Sequence, residues 1–182
     1  MANYITNLLT IFGTKDEVER VIYSMTDDEA YDIKPELTLD FEKIEPTPKD
    51  LFFAELMQAR GGCTSISSAI VDWRYDNWGT KWNPEIARYI NANTISFTTA
   101  NGAAIPIARK LSLMNKKLDF QICWSDSGNR GSCQGVLRYK AGKLKYEYVP
   151  RRETLNANKL NDLIENRSIR SINRLVEGIF KS

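Results

Sequence analysis

Trp78-Gly79-Thr80-Lys81-Trp82-Asn83 is the stretch on which the reading of this chain turns. Two large rings stand four residues apart around a glycine, directly after an apolar-striped segment carrying Trp73, so three of the four tryptophans fall within ten residues. Each such ring buries roughly 150–250 Å² when packed, and a cluster of them marks where neighbouring elements converge. The string supports two readings. Trp78 and Trp82 form a recognition surface that stacks on a base or a partner side chain, with Lys81 and Asn83 supplying polar contacts; or the rings are core and Lys81 is solvated.

Upstream, Tyr4 to Phe12 is rich in β-formers, alternates imperfectly and stops at Gly13, which predicts a buried first strand. Thr14 followed by Glu17 is a capping box, and Val18, Val21, Ile22 and Met25 recur at helical spacing. Leu37, Leu39 and Phe41 share one side of an expected second strand that runs out near Ile44, before Pro46 and Pro48. Leu51, Phe52, Leu56 and Met57 fit a helical face ending at Gly61-Gly62, and Ile66, Ile70, Trp73 and Asn77 fit another that leads into the tryptophan string, with Gly79 as its stop.

Downstream, Thr94 to Thr99 is a β-branched third strand. Pro106, Ile107, Leu111 and Met114 mark a helix, and Phe120, Ile122 and Trp124 alternate with Asp119, Gln121 and Cys123 as a fourth strand. Gly135 to Tyr139 and Leu144 to Tyr148 flank Ala141-Gly142 as a hairpin. After Pro150 the pattern is helical, in two short segments joined around Asn166, whose apolar stripe must be buried on the main body or on a second copy.

The expected architecture is α+β: a ferredoxin-like split β-α-β antiparallel sheet with helices on one face. A helical insertion of about 48–92 follows the second strand, within a domain of residues 1–150 that ends in a β-hairpin extension. Residues 151–182 form a C-terminal helical appendage. No run approaches the roughly 20 apolar residues of a membrane span, and Met1-Ala2-Asn3-Tyr4 lacks the order of a signal peptide. The expected location is cytoplasmic.

Composition excludes more chemistry than it supports. Histidine is absent, which removes Ser-His and Cys-His nucleophile pairs, an imidazole base and His-ligated metals. Cys63, Cys123 and Cys133 are odd in number and show no C-x-x-C spacing, so free thiols are expected, with neither disulfide scaffold nor zinc. No carboxylate pair has a context that would tune it. The expectation is therefore a protein that is not an enzyme and carries neither cofactor nor metal. Charge is uneven, with 13 acidic and 6 basic residues in positions 1–62 against 10 and 19 in the remainder. Arg151, Arg152, Arg167, Arg170 and Arg174 are the candidates for phosphate contact, the last three at spacings that share a helix face; Glu153, Asp162, Glu165 and Glu177 dilute their field.

The Asn3 to Gly13 pattern, Phe41-Glu42-Lys43-Ile44 with prolines following, the Trp78 to Asn83 string, Ile95 to Thr99 running into Ala100, and the aromatic strand followed by a glycine-bearing loop and Gly135 together resemble the YubB-type ferredoxin-like proteins encoded by phages, prophages and plasmids. The resemblance covers roughly residues 3–145. The chain departs from it at Tyr4-Ile5 and at Asn101-Gly102. It implies a fold and a mobile-element origin, and brings no catalytic residues with it.

The leading expectation is a non-enzymatic phage or plasmid accessory protein that binds a host macromolecule, with anti-defence inhibition (for example anti-CRISPR-like) as one form and a host protein as the expected partner. Nucleic-acid binding through the basic surface with tryptophan stacking is the first alternative. Sequestration of a small nucleotide near the tryptophan string is the second. A homodimer through the C-terminal helices is left open.

Overall fold

In the computed structural model, which describes residues 3–26, 36–52 and 67–180, the first run is β1 (Tyr4–Phe12). It is followed by α1 (Lys15–Ser24), β2 (Glu36–Leu37), a 3-10 turn (Phe41–Lys43) and α2 (Ser67–Trp78). Next come β3 (Glu85–Asn91), β4 (Thr94–Ala100), α3 (Ile105–Met114), β5 (Asp119–Asp126), β6 (Gln134–Lys140), β7 (Lys143–Tyr148), α4 (Leu155–Glu165) and α5 (Ile169–Phe180). The strands form one open sheet in the order β2-β3-β4-β1-β5-β6-β7 with antiparallel pairing throughout, so the fold is α+β. The helix expected through Leu56 and Met57, the Gly61-Gly62 stop and Cys63 lie outside the described residues.

Alternation along β1 and β5 sets the layers. Ile5, Leu9, Ile11, Phe120, Ile122 and Trp124 face one way and pack with Val18, Val21 and Ile22 of α1 and Ile107 and Leu111 of α3. Leu8 and Cys123 face the other way and, with Val136, pack against Leu160 and Ile164 of α4 and Ile172 and Val176 of α5. A strand buried on both faces reads as a nearly continuous apolar run, which explains the imperfect alternation of Tyr4 to Phe12. The helices therefore cover both faces of the sheet, not one as expected. The tail from 151 is its second helical layer, and its apolar stripe is buried within the same chain.

Two further expectations are corrected. The second strand was expected through Phe41; pairing is confined to Glu36–Leu37, with an isolated bridge between Leu39 and Thr26. Asp40 then caps the 3-10 turn by accepting a hydrogen bond from the Glu42 N–H at 3.0 Å, and a capped turn withdraws the backbone from a ladder. The segment 48–92, expected to be helical, contains β3. Register shifts interrupt the β3–β4 pairing, Ile86 sits at φ 50°, and the strand is largely exposed, so it has no clean period of two to read.

Other local readings hold. The capping box is formed: the Thr14 N–H donates to Glu17 Oε2 at 2.8 Å and the Glu17 N–H to Thr14 Oγ1 at 3.4 Å. The β6–β7 turn has Ala141 at φ 49° and Gly142 at φ 74°, the paired positive angles of a type I′ hairpin. Among the described residues, no helix is long and apolar enough to cross a membrane.

Where α2 ends, two backbones come into contact. Gly79 has φ 80°, and a Cβ there would lie 2.2 Å from the Ala103 carbonyl oxygen; a Cβ on Gly102 would lie 2.0 Å from the Gly79 carbonyl oxygen. Only glycine at both positions permits this approach. Gly102 is not held at positive φ, so Gly102→Ala tests the close approach without added backbone strain. It is expected to lower stability by roughly 2–3 kcal/mol in chemical denaturation, whereas a loss below about 0.5 kcal/mol would show that the contact relaxes freely.

Candidate functional site

Each residue of the tryptophan string is placed by packing. Trp78 is fully buried. Phe41 meets its ring edge-on at 5.9 Å and Trp73 at 6.1 Å, and its Nε1–H donates to the Glu45 carbonyl at 2.7 Å. The Arg74 guanidinium lies 4.6 Å from the same ring and bridges to Glu42, tying α2 to the 3-10 turn. Thr80 is buried, and its hydroxyl donates to the Ala100 carbonyl at 3.0 Å and accepts from the Ala100 N–H at 3.1 Å, standing in for a ladder partner at the end of β4. Asn83 accepts from the Phe41 N–H at 2.8 Å and donates to Asp40 at 2.9 Å. Trp82 is half-buried with the Lys81 ammonium 4.7 Å above its ring. A recognition surface pairing Trp78 with Trp82 is therefore not formed, because Trp78 has no free face.

The five arginines do not gather. Arg151 and Arg152 are exposed ahead of α4. Arg167 lies in the turn between α4 and α5 at φ 54° and donates to the Glu165 carbonyl at 3.4 Å, so it does not share a helical face with the other two. Arg170 and Arg174 are exposed one turn apart on α5.

A different constellation is assembled under α5. Gln121 of β5 pairs in register with Arg138 of β6, and Arg138 with Tyr146 of β7, so three polar side chains form a row on the face that the C-terminal helices cover. The Tyr146 hydroxyl donates to Gln121 Oε1, and Gln121 Nε2 donates to Asn173 Oδ1 of α5 at 2.9 Å. Arg138 is stacked 3.9 Å from the Phe12 ring centre, and its Nε–H donates to Asp119 Oδ2 at 3.1 Å, while Lys140 holds the other oxygen at 2.9 Å. Phe12, Gln121, Arg138, Tyr146 and Asn173 line an open groove of about 450 Å³ together with Lys145, Val176 and Glu177.

The electrostatics keep the row in one protonation state. Burial pushes the Tyr146 phenol above its usual value, with Arg138 working against it, so it stays a donor. Burial of Asp119 opposes ionisation, but hydrogen bonds and charge from Lys140 and Arg138 outweigh it and hold the carboxyl below its usual range. Burial drives the Cys123 thiol up to about 12, despite a hydrogen bond from Gln121, so it remains protonated and unreactive at neutral pH. Asn173 Nδ2 has no hydrogen-bond partner among the described residues. The site thus offers a held set of donors and charges and no activated nucleophile. In the sequence Asp119, Gln121 and Cys123 show only as the residues that alternate with Phe120, Ile122 and Trp124. What could have found the row is that two amphipathic helices follow, needing a sheet face on which to land.

No family model and no curated protein matches this chain. Among solved structures, the crystal structure of the protein api92 from Yersinia pseudotuberculosis, of the family DUF1281, is similar over 47% of this chain and 31% of that one, at 11% identity and a TM-score of 0.37. The similarity thus spans under a third of that protein's length.

Two measurements check the assignments above. Trp78→Phe removes the donor to Glu45 and part of a packed ring, and is expected to cost about 2–4 kcal/mol; Lys81→Ala, which loses only a surface cation–ring contact, should cost below about 1 kcal/mol. Equal losses in chemical denaturation would overturn the division of the string into core and rim. The Asp119 carboxyl sits below its unfolded value, so its contribution is fully present above the ordinary aspartate range near roughly 3.9 and is lost as pH falls through its lower folded value. Asp119→Asn should therefore lower stability at pH 7 by about 1–2 kcal/mol and narrow the gap to wild type under acid, as read by denaturant midpoints from pH 7 to pH 2.

Proposed function

We propose that this is a ferredoxin-like, non-enzymatic accessory protein of phage or plasmid origin that acts in the bacterial cytoplasm by binding a macromolecule of its host, with the groove beneath α5 at the centre of the contact. The ferredoxin-like part is supported by the strand order β3-β4-β1-β5, with α1 leading from β1 towards β3, α3 joining β4 to β5, and both packed on one face. The origin is supported by the resemblance of residues 3–145 to the YubB-type proteins. The observation that carries the binding reading is the Tyr146–Gln121–Asn173 chain. It presets polar groups in an open groove without a reactive thiol or base, which suits recognition by contact. Anti-defence inhibition is one form this binding can take, with a host protein as the partner.

Lys145→Glu with Glu177→Lys alters the groove at exposed positions that hold no core contact. From a lysate of host cells carrying the element, the wild-type chain is expected to retain a specific macromolecule and the double variant to lose it at least about tenfold, with an unchanged melting point. Retention of the same partner in equal yield by the variant would refute the groove as the contact.

Nucleic-acid binding is favoured by one observation of its own: Arg170 and Arg174 are exposed on α5 and have no ion-pair partner among the described residues. That reading expects affinity for an oligonucleotide that falls steeply with salt and is lost in Arg170→Glu with Arg174→Glu. Fluorescence anisotropy that stays flat at low salt would end it.

A further inference from the structure

On the opposite face of the same hairpin, the β6–β7 turn rests on α3. The Gly142 N–H donates to Ser112 Oγ at 2.9 Å, and the Arg109 Nε–H donates to the Gly142 carbonyl at 3.3 Å, so turn and helix are locked together. Two cavities, of about 490 and 470 Å³, adjoin this junction and share Arg109, Gly142 and Lys143 in their walls. The smaller is also lined by Tyr139, which is 7% exposed. Its hydroxyl has no hydrogen-bond partner among the described residues. That oxygen is not among the buried unpaired atoms, so it opens onto the cavity and stands as a donor on its wall beside two cations. Lys143 forms no ion pair among the described residues, and Arg109 spends only Nε on the turn; Lys110, by contrast, is neutralised by Glu45.

We infer that this cleft is a binding site for a phosphate-bearing small molecule of mononucleotide size. Arg109, Lys143 and the Tyr139 hydroxyl would receive the phosphate, a set of two charges and one neutral donor suited to a tetrahedral anion. Burial holds the Tyr139 phenol above its usual value, against the pull of Arg109, so it is a donor at neutral pH. The larger cavity extends to Asp76 and Asn77 at the end of α2, with Pro106 and Leu113 as apolar wall. Asn77 Nδ2 is bound to the Trp73 carbonyl at 2.8 Å, which leaves its Oδ1 and the Asp76 carboxylate as acceptors. Acceptors at that end favour a ring with an exocyclic amine, and the Asp76 carboxylate repels a continuous phosphate backbone, which selects a single nucleotide over a strand. Each space falls in the usual range for small-ligand sites, about 300–1,000 Å³. This site stands apart from the macromolecular reading and does not rest on it.

The test is isothermal titration of the full chain with AMP, UMP, adenosine and inorganic phosphate. AMP is expected to bind at least about tenfold more tightly than adenosine, UMP or phosphate alone. Tyr139→Phe, which removes one oxygen, should weaken AMP about tenfold, and Arg109→Ala or Lys143→Ala, both at exposed positions, should weaken it further. The groove variant Lys145→Glu with Glu177→Lys should bind AMP as wild type does, which separates failure of one site from failure of the other. AMP binding that is absent at millimolar concentration, no tighter than adenosine or phosphate, or indifferent to Tyr139→Phe and Arg109→Ala together would overturn the assignment.

Discussion

The contact of Gly79 with Gly102 is the constraint on which the upper end of the molecule depends. With no side chain on either residue, the end of α2 touches the turn between β4 and α3 directly. Around that point side-chain hydroxyls and an amide pair several backbone groups. Thr80 takes both groups of Ala100, Thr99 Oγ1 donates to the Gly102 carbonyl at 2.6 Å, and buried Asn7 accepts from the Ala104 N–H at 3.1 Å and donates to Thr99 at 2.8 Å. Buried backbone groups left unpaired would each cost about 1–3 kcal/mol, so this mesh makes the close approach tolerable. One consequence is that Trp78, just before Gly79, is directed into the main core, where the indole closes the space between α2, the 3-10 turn and the sheet.

The sheet then divides the molecule into two unlike interiors. The face under α1 and α3 is broad and apolar, and its aromatic residues meet edge to edge. The face under α4 and α5 has a narrow apolar strip flanked by polar contacts. At one end Glu165 accepts from Ser125 at 2.5 Å and from Thr6 at 3.2 Å, and at the other the Gln121–Asn173 bond spans sheet and helix. The Gln134 side-chain amide and Asn161 Oδ1 are buried in this layer without partners among the described residues. Polar seams of this kind specify where a helix sits more than they add to stability. They also leave room at the margin of α5 for the groove.

The β6–β7 hairpin serves both surfaces because consecutive strand residues point to opposite sides. Arg138 and Tyr146 project under α5, and Tyr139 projects towards α3. Two surfaces of different chemistry are thereby carried by one pair of strands, and the turn that joins them is pinned to α3 through Ser112.

What the chain determines locally was legible in it: the Thr14–Glu17 box, the Ala141-Gly142 turn, the alternation of β4 and β5, and the paired terminal helices all follow from interactions within a few residues. The exclusion of histidine chemistry likewise needs only the residue list. Tertiary structure decided the rest. β3 is a strand because β4 offers it an edge, although its bulges erase the pattern that would announce it. The tryptophan string is core because two glycines 23 positions apart meet, a coincidence in space with no signature along the chain. Gln121, Arg138, Tyr146 and Asn173 become neighbours on one surface, and Arg109, Tyr139 and Lys143 on another, only when strand register and helix docking place them together. A period of two or 3.6 records which side a residue faces; it carries no record of what will come to lie against it.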